Sequence, residues 1–401
     1  MVIEKYGEQI NKCSYCNYCQ ETCPIYLEDI MESHLPRARI NLIKEVLLAK
    51  NMTTSSRFKQ IIDRCLLCSN CAQTCPSGLQ VDQIIAIARY ELYKGKRRDF
   101  ATRNIMRKIM QQRGIKGLMG GVAGLTQRMG LSAVDIPAID SKPFDTRYRG
   151  TLSPQGVVRG RVAYYVGCAT NTVYPDTGEA VLSVLAKNGI EVIMPEGLAC
   201  CGIPALADGD LETACDMIRT NVEILAQLSV DAIVTDCTSC GMTFKVKALK
   251  ILPEDDPLRA RVTALAEKFW EVTDYLNHVG LSVKPSQLAE TYTYHIPCHR
   301  GWTPTINDAP RSLLALVPQA RLVEMENPEL CCGAAGGFFI EHRNLSGSIR
   351  THKLEEITKT GVHTIVTQCP GCRYYIAAAS KDYVVMHPIS FLAQAYNVLD
   401  K

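Results

Sequence analysis

Beyond residue 160 the chain alternates short, uniformly apolar runs with longer amphipathic ones. Arg161-Val162-Ala163-Tyr164-Tyr165-Val166 reads as a strand, Gly178 to Asn188 as a helix, and Glu191-Val192-Ile193-Met194 as the next strand. Asp210 to Leu228 is helical again and Ala232-Ile233-Val234 is a buried strand; the same kind of run then returns in Tyr292-Thr293-Tyr294-His295-Ile296 and Thr364-Ile365-Val366. Strands that alternate with helices predict parallel sheets, because the helix carries the chain back before the next strand begins. The first hundred residues show no such alternation. Ile40, Ile43, Val46 and Leu47 fall at helical spacing behind Leu35-Pro36, where proline suits a first turn, and Val81, Ile84, Ile85 and Ala88 repeat the pattern. A helical domain is expected there.

Between these regions Lys94, Lys96, Arg97, Arg98, Arg103, Arg107, Lys108 and Arg113 interleave with Ile105, Met106, Ile109 and Met110. The pattern fits a linker helix with a solvated charged face, or else a surface for a partner or a membrane. Pro143, Pro154, Gly150, Gly156 and Gly160 then mark a loop-rich boundary. The expected fold class is α+β multidomain: a helical domain at 1–100, a basic linker at 101–160, and two duplicated α/β parallel-sheet domains at 161–285 and 286–401.

The chemistry lies in the cysteines. Cys13-x2-Cys16-x2-Cys19-x3-Cys23-Pro24 is followed by Cys65-x2-Cys68-x2-Cys71-x3-Cys75-Pro76. Both match the run that holds cubane [4Fe-4S] clusters in bacterial ferredoxins, so the helical domain is expected to be an α-helical ferredoxin domain with two such clusters. Two-residue spacing lets one loop wrap three corners of a cube, while the Cys-Pro cysteine projects toward the neighbouring cluster. Cys13, Cys16, Cys19 and Cys75 are therefore assigned to one cluster, and Cys65, Cys68, Cys71 and Cys23 to the other. A pair of zinc sites would draw two cysteines from each of two knuckles, which this spacing does not suit.

A second pattern repeats downstream. Cys168, Cys200, Cys201, Cys237 and Cys240 recur as Cys298, Cys331, Cys332, Cys369 and Cys372, with offsets of 130, 131 and 132 residues, so the α/β half is an internal duplication. Cys168, Cys237, Cys298 and Cys369 come just after strands, at the carboxyl ends where open α/β sheets gather ligands. Five thiolates, two of them adjacent, suit a polynuclear iron-sulfur centre better than tetrahedral zinc. Adjacent cysteines can hardly cap opposite corners of one cube, but they can bridge or chelate an opened cluster. Gly202 and Gly333, which follow the two pairs, would let the backbone approach its sulfides. Cys215 has no counterpart and is expected to be a buried small hydrophobe. Of His295, His299, His342 and His387, only His299, next to Cys298, is singled out as a catalytic candidate that could deliver a proton with an electron.

Composition narrows the partners. Nineteen cysteines and no signal-peptide pattern at Met1-Val2-Ile3-Glu4 point to a reducing, cytoplasmic setting where thiolates serve as ligands. With 44 basic against 41 acidic side chains the net charge is +3, so no global field points to nucleic acid. No run approaches the roughly 18 apolar residues of a spanning helix. Contact with membrane quinones would go through a peripheral association on the inner face of the membrane or through a membrane subunit. No G-x-G-x-x-G follows a strand, so the chain itself is not expected to bind NAD or FAD.

With both Cys-Pro runs and both Cys-Cys-Gly repeats in view, the chain resembles, over nearly its whole length, the iron-sulfur subunits of glycolate oxidase and anaerobic glycerol-3-phosphate dehydrogenase and the D subunit of heterodisulfide reductase. Pro36-Arg37-Ala38-Arg39-Ile40-Asn41-Leu42-Ile43-Lys44 and Arg64-Cys65-Leu66-Leu67-Cys68-Ser69-Asn70-Cys71, ending in Thr74-Cys75-Pro76-Ser77-Gly78, look most like the glycolate oxidase type. That resemblance implies an oxidoreductase subunit which relays electrons between an FAD-containing 2-hydroxy-acid dehydrogenase and a carrier or quinone pool. Glycolate-oxidase-type subunits often have a degenerate first repeat, whereas this chain keeps all five cysteines in both, as heterodisulfide reductase does. The latter likeness implies a noncubane [4Fe-4S] cluster on each five-cysteine set and, as the alternative function, reduction of a disulfide between them.

Overall fold

A computed structural model describes residues 2–94, 140, 142–154 and 156–398. Apart from Lys94, the basic amphipathic segment lies outside the described residues. The chain divides into two compact units, one made of residues 1–104, 203–214 and 330–353, the other of residues 105–202, 215–329 and 354–401.

The first unit is helical. Its main described helices are α1 (Pro36–Ile43), α2 (Ser56–Asp63) and α3 (Val81–Tyr93). Pro36 opens α1, where its missing N–H costs nothing and its fixed φ suits the first turn. Ser55 caps α2 by accepting from the Phe58 amide at 3.1 Å. Helix α3 is buried on nearly every side, with Ile84, Ile85, Ile87 and Ala88 at 0% exposure. Its polar residues are therefore partnered. Gln83 donates to the Tyr6 hydroxyl at 2.8 Å, and Glu91 accepts from the Ile3 amide at 3.3 Å.

The second unit holds two sheets. Strands β1 (Gly150–Leu152), β2 (Gly160–Tyr164), β3 (Ile190–Met194), β4 (Ala232–Thr235) and β5 (Phe269–Glu271) form the first, in the order β1-β3-β2-β4-β5. The second is β7-β6-β8-β9, from β6 (Thr291–Tyr294), β7 (Arg321–Leu322), β8 (Thr364–Val366) and β9 (Val384–Met386). All pairings are parallel except β1 with β3, as the alternation with helices requires. One apolar cluster draws on both repeats, from Val162, Tyr164, Leu185 and Val234 to Tyr294, Val366, Phe391 and Leu392. Thus the repeats share a core.

The stretch 142–154, expected as a loop-rich boundary, is built into this unit. Gly150–Leu152 adds the antiparallel edge strand, and the Phe144 ring is fully buried against Gly178, where any Cβ would lie 2.7 Å from it. Strand β1 has three residues beside a glycine and a proline, too few for a periodic signal, and pairing with β3 decides its state.

Candidate metal centres

The two Cys-Pro runs adopt one loop geometry twice. Tyr15 and Asn17 flank Cys16 with φ of 55° and 70°, and Leu67 and Ser69 flank Cys68 with 54° and 63°. Left-handed residues on both sides of the middle cysteine curl the loop, at about 1 kcal/mol or more apiece. A short helix follows each loop, Tyr18–Glu21 and Asn70–Gln73, and the Cys-Pro cysteine comes after it. Cys23 stands before Pro24 at the start of helix Pro24–Asp29.

This geometry brings Cys23, Cys65, Cys68 and Cys71 to line one cavity, and Cys13, Cys16, Cys19 and Cys75 to line another. Each Cys-Pro cysteine faces the loop of the other run. Cys71 lines both cavities, so they adjoin. The surroundings suit an anionic group. Arg39, 1% exposed, lines the first cavity; its Nε donates to the Ile61 carbonyl at 3.1 Å, and its Nη2 has no protein partner. Arg37, two residues earlier on α1, lines the second. Burial raises the Cys71 and Cys23 thiols above their usual range, so a metal that replaces the protons removes that penalty. Four sulfurs facing each cavity, with the buried Arg39 guanidinium at the first, fit [4Fe-4S] clusters.

In the second unit the first five-cysteine set comes together at the carboxyl ends of β2 and β4. Cys168 and Cys200 have sulfurs 3.8 Å apart, Cys201 is hydrogen-bonded to Cys200 and Cys240, and Cys240 also to Cys237. Hydrogen bonds from Cys200 and Cys240 bring Cys201 down to about 5, against burial. The pair is fixed from behind: Asn221 Nδ2 donates to the Cys200 carbonyl at 3.0 Å, and its Oδ1 accepts from the Ala199 amide at 2.8 Å. Gly202 has φ of +90° and Gly333 of +86°, a conformation that side chains resist, so the two Cys-Cys-Gly turns share one shape.

Of the second set, Cys298, Cys369 and Cys372 belong to the second unit and Cys331 and Cys332 to the first. Cys369 is hydrogen-bonded to Cys372, which chiefly brings its thiol down to about 7, and also to Ser239. Ser239 shares a 2.7 Å hydrogen bond with His299 Nδ1. In the first unit the Gly333 amide donates to Cys331 Sγ at 3.3 Å, and Ser346 Oγ donates to the Gly333 carbonyl at 2.8 Å. Burial, then Cys332, then Cys68 push the Cys331 thiol up, which places Cys331 within electrostatic reach of the ferredoxin-type loop.

The remaining candidates have structural neighbours. His387 caps a helix by accepting from the Ile389 amide at 3.0 Å, His295 Nδ1 lies 3.2 Å from the Pro328 carbonyl, and His342 packs on Phe338. Cys215 is 5% exposed, with its thiol 3.7 Å from the Ile251 carbonyl. Arg39, Arg37 and Ser239 were not singled out from sequence as site residues. Arg37 and Arg39 share a quoted run with Pro36, but nothing in their spacing says that they turn toward sulfur.

The 4Fe-4S dicluster domain family matches residues 9–79, and the cysteine-rich domain family matches residues 162–245 and again 292–377. A probable glycolate oxidase iron-sulfur subunit of Bacillus subtilis is 29% identical, covering 91% of this chain and 88% of its own length. The glycolate oxidase iron-sulfur subunit of Escherichia coli is 26% identical over 96% of this chain and 94% of its own. A crystal structure of a hypothetical protein from Helicobacter pylori shares the fold at a TM-score of 0.53 and 10% identity, across 100% of this chain and 77% of that one. The chain thus carries a match to a 4Fe-4S dicluster domain followed by two matches to a cysteine-rich domain, and it is similar over nearly its whole length to glycolate oxidase iron-sulfur subunits.

Proposed function

We propose that this protein is the iron-sulfur electron-transfer subunit of an oxidoreductase complex, working between an FAD-containing 2-hydroxy-acid dehydrogenase and a carrier or quinone pool. The observation that carries the proposal is the pair of adjoining four-cysteine cavities on a chain similar throughout to glycolate oxidase iron-sulfur subunits. In this reading Cys13, Cys16, Cys19 and Cys75 hold one cluster and Cys23, Cys65, Cys68 and Cys71 the next. Cys168, Cys200, Cys201, Cys237 and Cys240 hold a third, and Cys298, Cys331, Cys332, Cys369 and Cys372 are their counterpart by sequence repetition. Gly202 and Gly333, lacking a Cβ, would let the backbone approach the cluster sulfides closely. When bound, such clusters supply one-electron redox chemistry.

The side chains set the order of contact. Cys16 is exposed, between the exposed rings of Tyr15 and Tyr18, so the site it serves is the one a partner can approach. Cys71 lines that cavity and the next, and Cys68 reaches Cys331 electrostatically. Among the described residues no helix is long and apolar enough to cross a membrane; in this reading a quinone is met through a peripheral contact or through another subunit.

Anaerobically purified protein is expected to carry about sixteen irons, four clusters of four. It should pass electrons to an artificial acceptor only when a flavoprotein dehydrogenase and its hydroxy acid are present. About eight irons would refute the assignment of the Cys-Cys-Gly sets. Disulfide cleavage by the isolated chain with reduced viologen, abolished in Cys332→Ser, would replace the relay by a disulfide reductase.

A further inference from the structure

The two Cys-Pro runs share one spacing and one loop shape, each cysteine of the first recurring 52 residues on, as in 65 minus 13 and 75 minus 23. Equal loops would give equal sites, but one position in the loops is occupied differently. Ser69 stands where the first run has Asn17, and both hold the left-handed conformation, at φ of 63° and 70°. Asn17 is exposed, whereas Ser69 is buried. Asparagine tolerates that conformation better than serine does, so the turn alone does not call for serine. What serine adds is a short donor: its hydroxyl donates to Asp82 Oδ2 at 2.7 Å.

Asp82 is 5% exposed and lies in the first turn of α3, where the amides of the helix start favour a negative charge. With Ser69 it lines the cavity of Cys23, Cys65, Cys68 and Cys71, as Arg39 does. That cavity therefore faces one buried group of each sign. The other cavity is lined by Arg37, and among the described residues no carboxylate lines it. Arg37 is paired instead with Glu32 at 2.6 Å, an exposed carboxylate whose charge water screens. At the offset that relates the two runs, the position of Asp82 corresponds to Ile30, which is 74% exposed. Thus neither Ser69 nor Asp82 has a like-for-like counterpart in the first run.

A [4Fe-4S] cluster becomes more negative as it takes up an electron, and a carboxylate beside it in a medium of low dielectric raises the cost of that charge. We propose that Asp82, hydrogen-bonded to Ser69, lowers the reduction potential of the site served by Cys23, Cys65, Cys68 and Cys71 against that of the site served by Cys13, Cys16, Cys19 and Cys75. Arg39 and Asp82 act on the one site in opposite senses, and its potential is set by their balance. An electron shared between the adjoining sites is shifted by Asp82 toward the side of the exposed Cys16. This rests on the assignment of a cluster to each four-cysteine cavity.

The test is an anaerobic redox titration of the holoprotein followed by electron paramagnetic resonance, with iron content measured on the same samples. Asp82→Asn keeps the shape and an acceptor for the Ser69 hydroxyl but removes the charge. One ferredoxin-type midpoint should rise, the other should move less, and the iron content should match the parent. Asp82→Glu, which keeps the charge, should stay close to the parent. Arg39→Gln should lower the midpoint that Asp82→Asn raises, and the double variant should lie between the two single ones. Full iron with no rise in Asp82→Asn, an equal rise of both midpoints, the same rise in Asp82→Glu, or a different midpoint lowered by Arg39→Gln would overturn the proposal and leave the cluster assignment standing. Loss of about four irons in Asp82→Asn would make Asp82 a scaffold residue and overturn the proposal too. A parent protein with no ferredoxin-type midpoint would overturn the cluster assignment, and the proposal with it.

Discussion

Arg39 shows what a single side chain can reveal about a metal site. A guanidinium 1% exposed, with one nitrogen unpartnered, would cost several kcal/mol if it faced only apolar groups. It lines the cavity of Cys23, Cys65, Cys68 and Cys71, where a cluster held by four thiolates would carry net negative charge. Arg39→Gln keeps a donor but removes that charge. The midpoint of this cluster is expected to fall while that of the Cys13, Cys16, Cys19 and Cys75 cluster stays nearly fixed, as a redox titration would read. The cysteines were legible in the sequence because one loop must place three sulfurs, and this fixes their spacing. Arg39 was not, since it lines the cysteine cavity from a different segment and leaves no periodic trace.

At the scale of elements, α3 is more than an amphipathic helix. Arg89, 4% exposed, donates to the carbonyls of Ile62 at 3.1 Å, Asp63 at 3.0 Å, Cys65 at 2.6 Å and Ala207 at 2.7 Å. The first three lie at the end of α2 and the start of the cysteine loop, where helix carbonyls lack their usual amide four residues on; Ile62 has the Cys65 amide at 3.4 Å instead. Gly209 makes the approach possible: its φ is +78°, and a Cβ there would sit 3.0 Å from Arg89 Cβ. Arg89→Met leaves the carbonyls of Asp63, Cys65 and Ala207 without this donor, at a cost of about 3 kcal/mol. A lower denaturation midpoint and faster iron loss should follow; an unchanged midpoint would mean that water replaces the guanidinium. The helical periodicity from Val81 to Ala88 predicted α3 itself. It carried no sign that residues 203–214, far along the chain, would complete its surroundings.

The whole molecule joins two units whose stability has different sources. In the second, parallel strands and helices enclose a shared apolar cluster, and the alternation of apolar runs announced that architecture because such strands are buried on both faces. In the first, α2 has eight residues, well below the roughly 12–15 at which isolated helices become marginally stable. Tyr15, Asn17, Leu67 and Ser69 hold left-handed conformations, and eight cysteines line two cavities. Iron binding must offset the strain and the open volume, so metal affinity is folding free energy here. Removal of iron by a chelator under oxidising conditions should therefore act unevenly. Hydrogen exchange is expected to rise sharply through residues 13–75 and α3, while the amides of β2, β4, β6 and β8 keep their protection. Equal loss in both units would show that the sheets too depend on metal, whereas unchanged exchange in residues 13–75 would show that the helices stand without it.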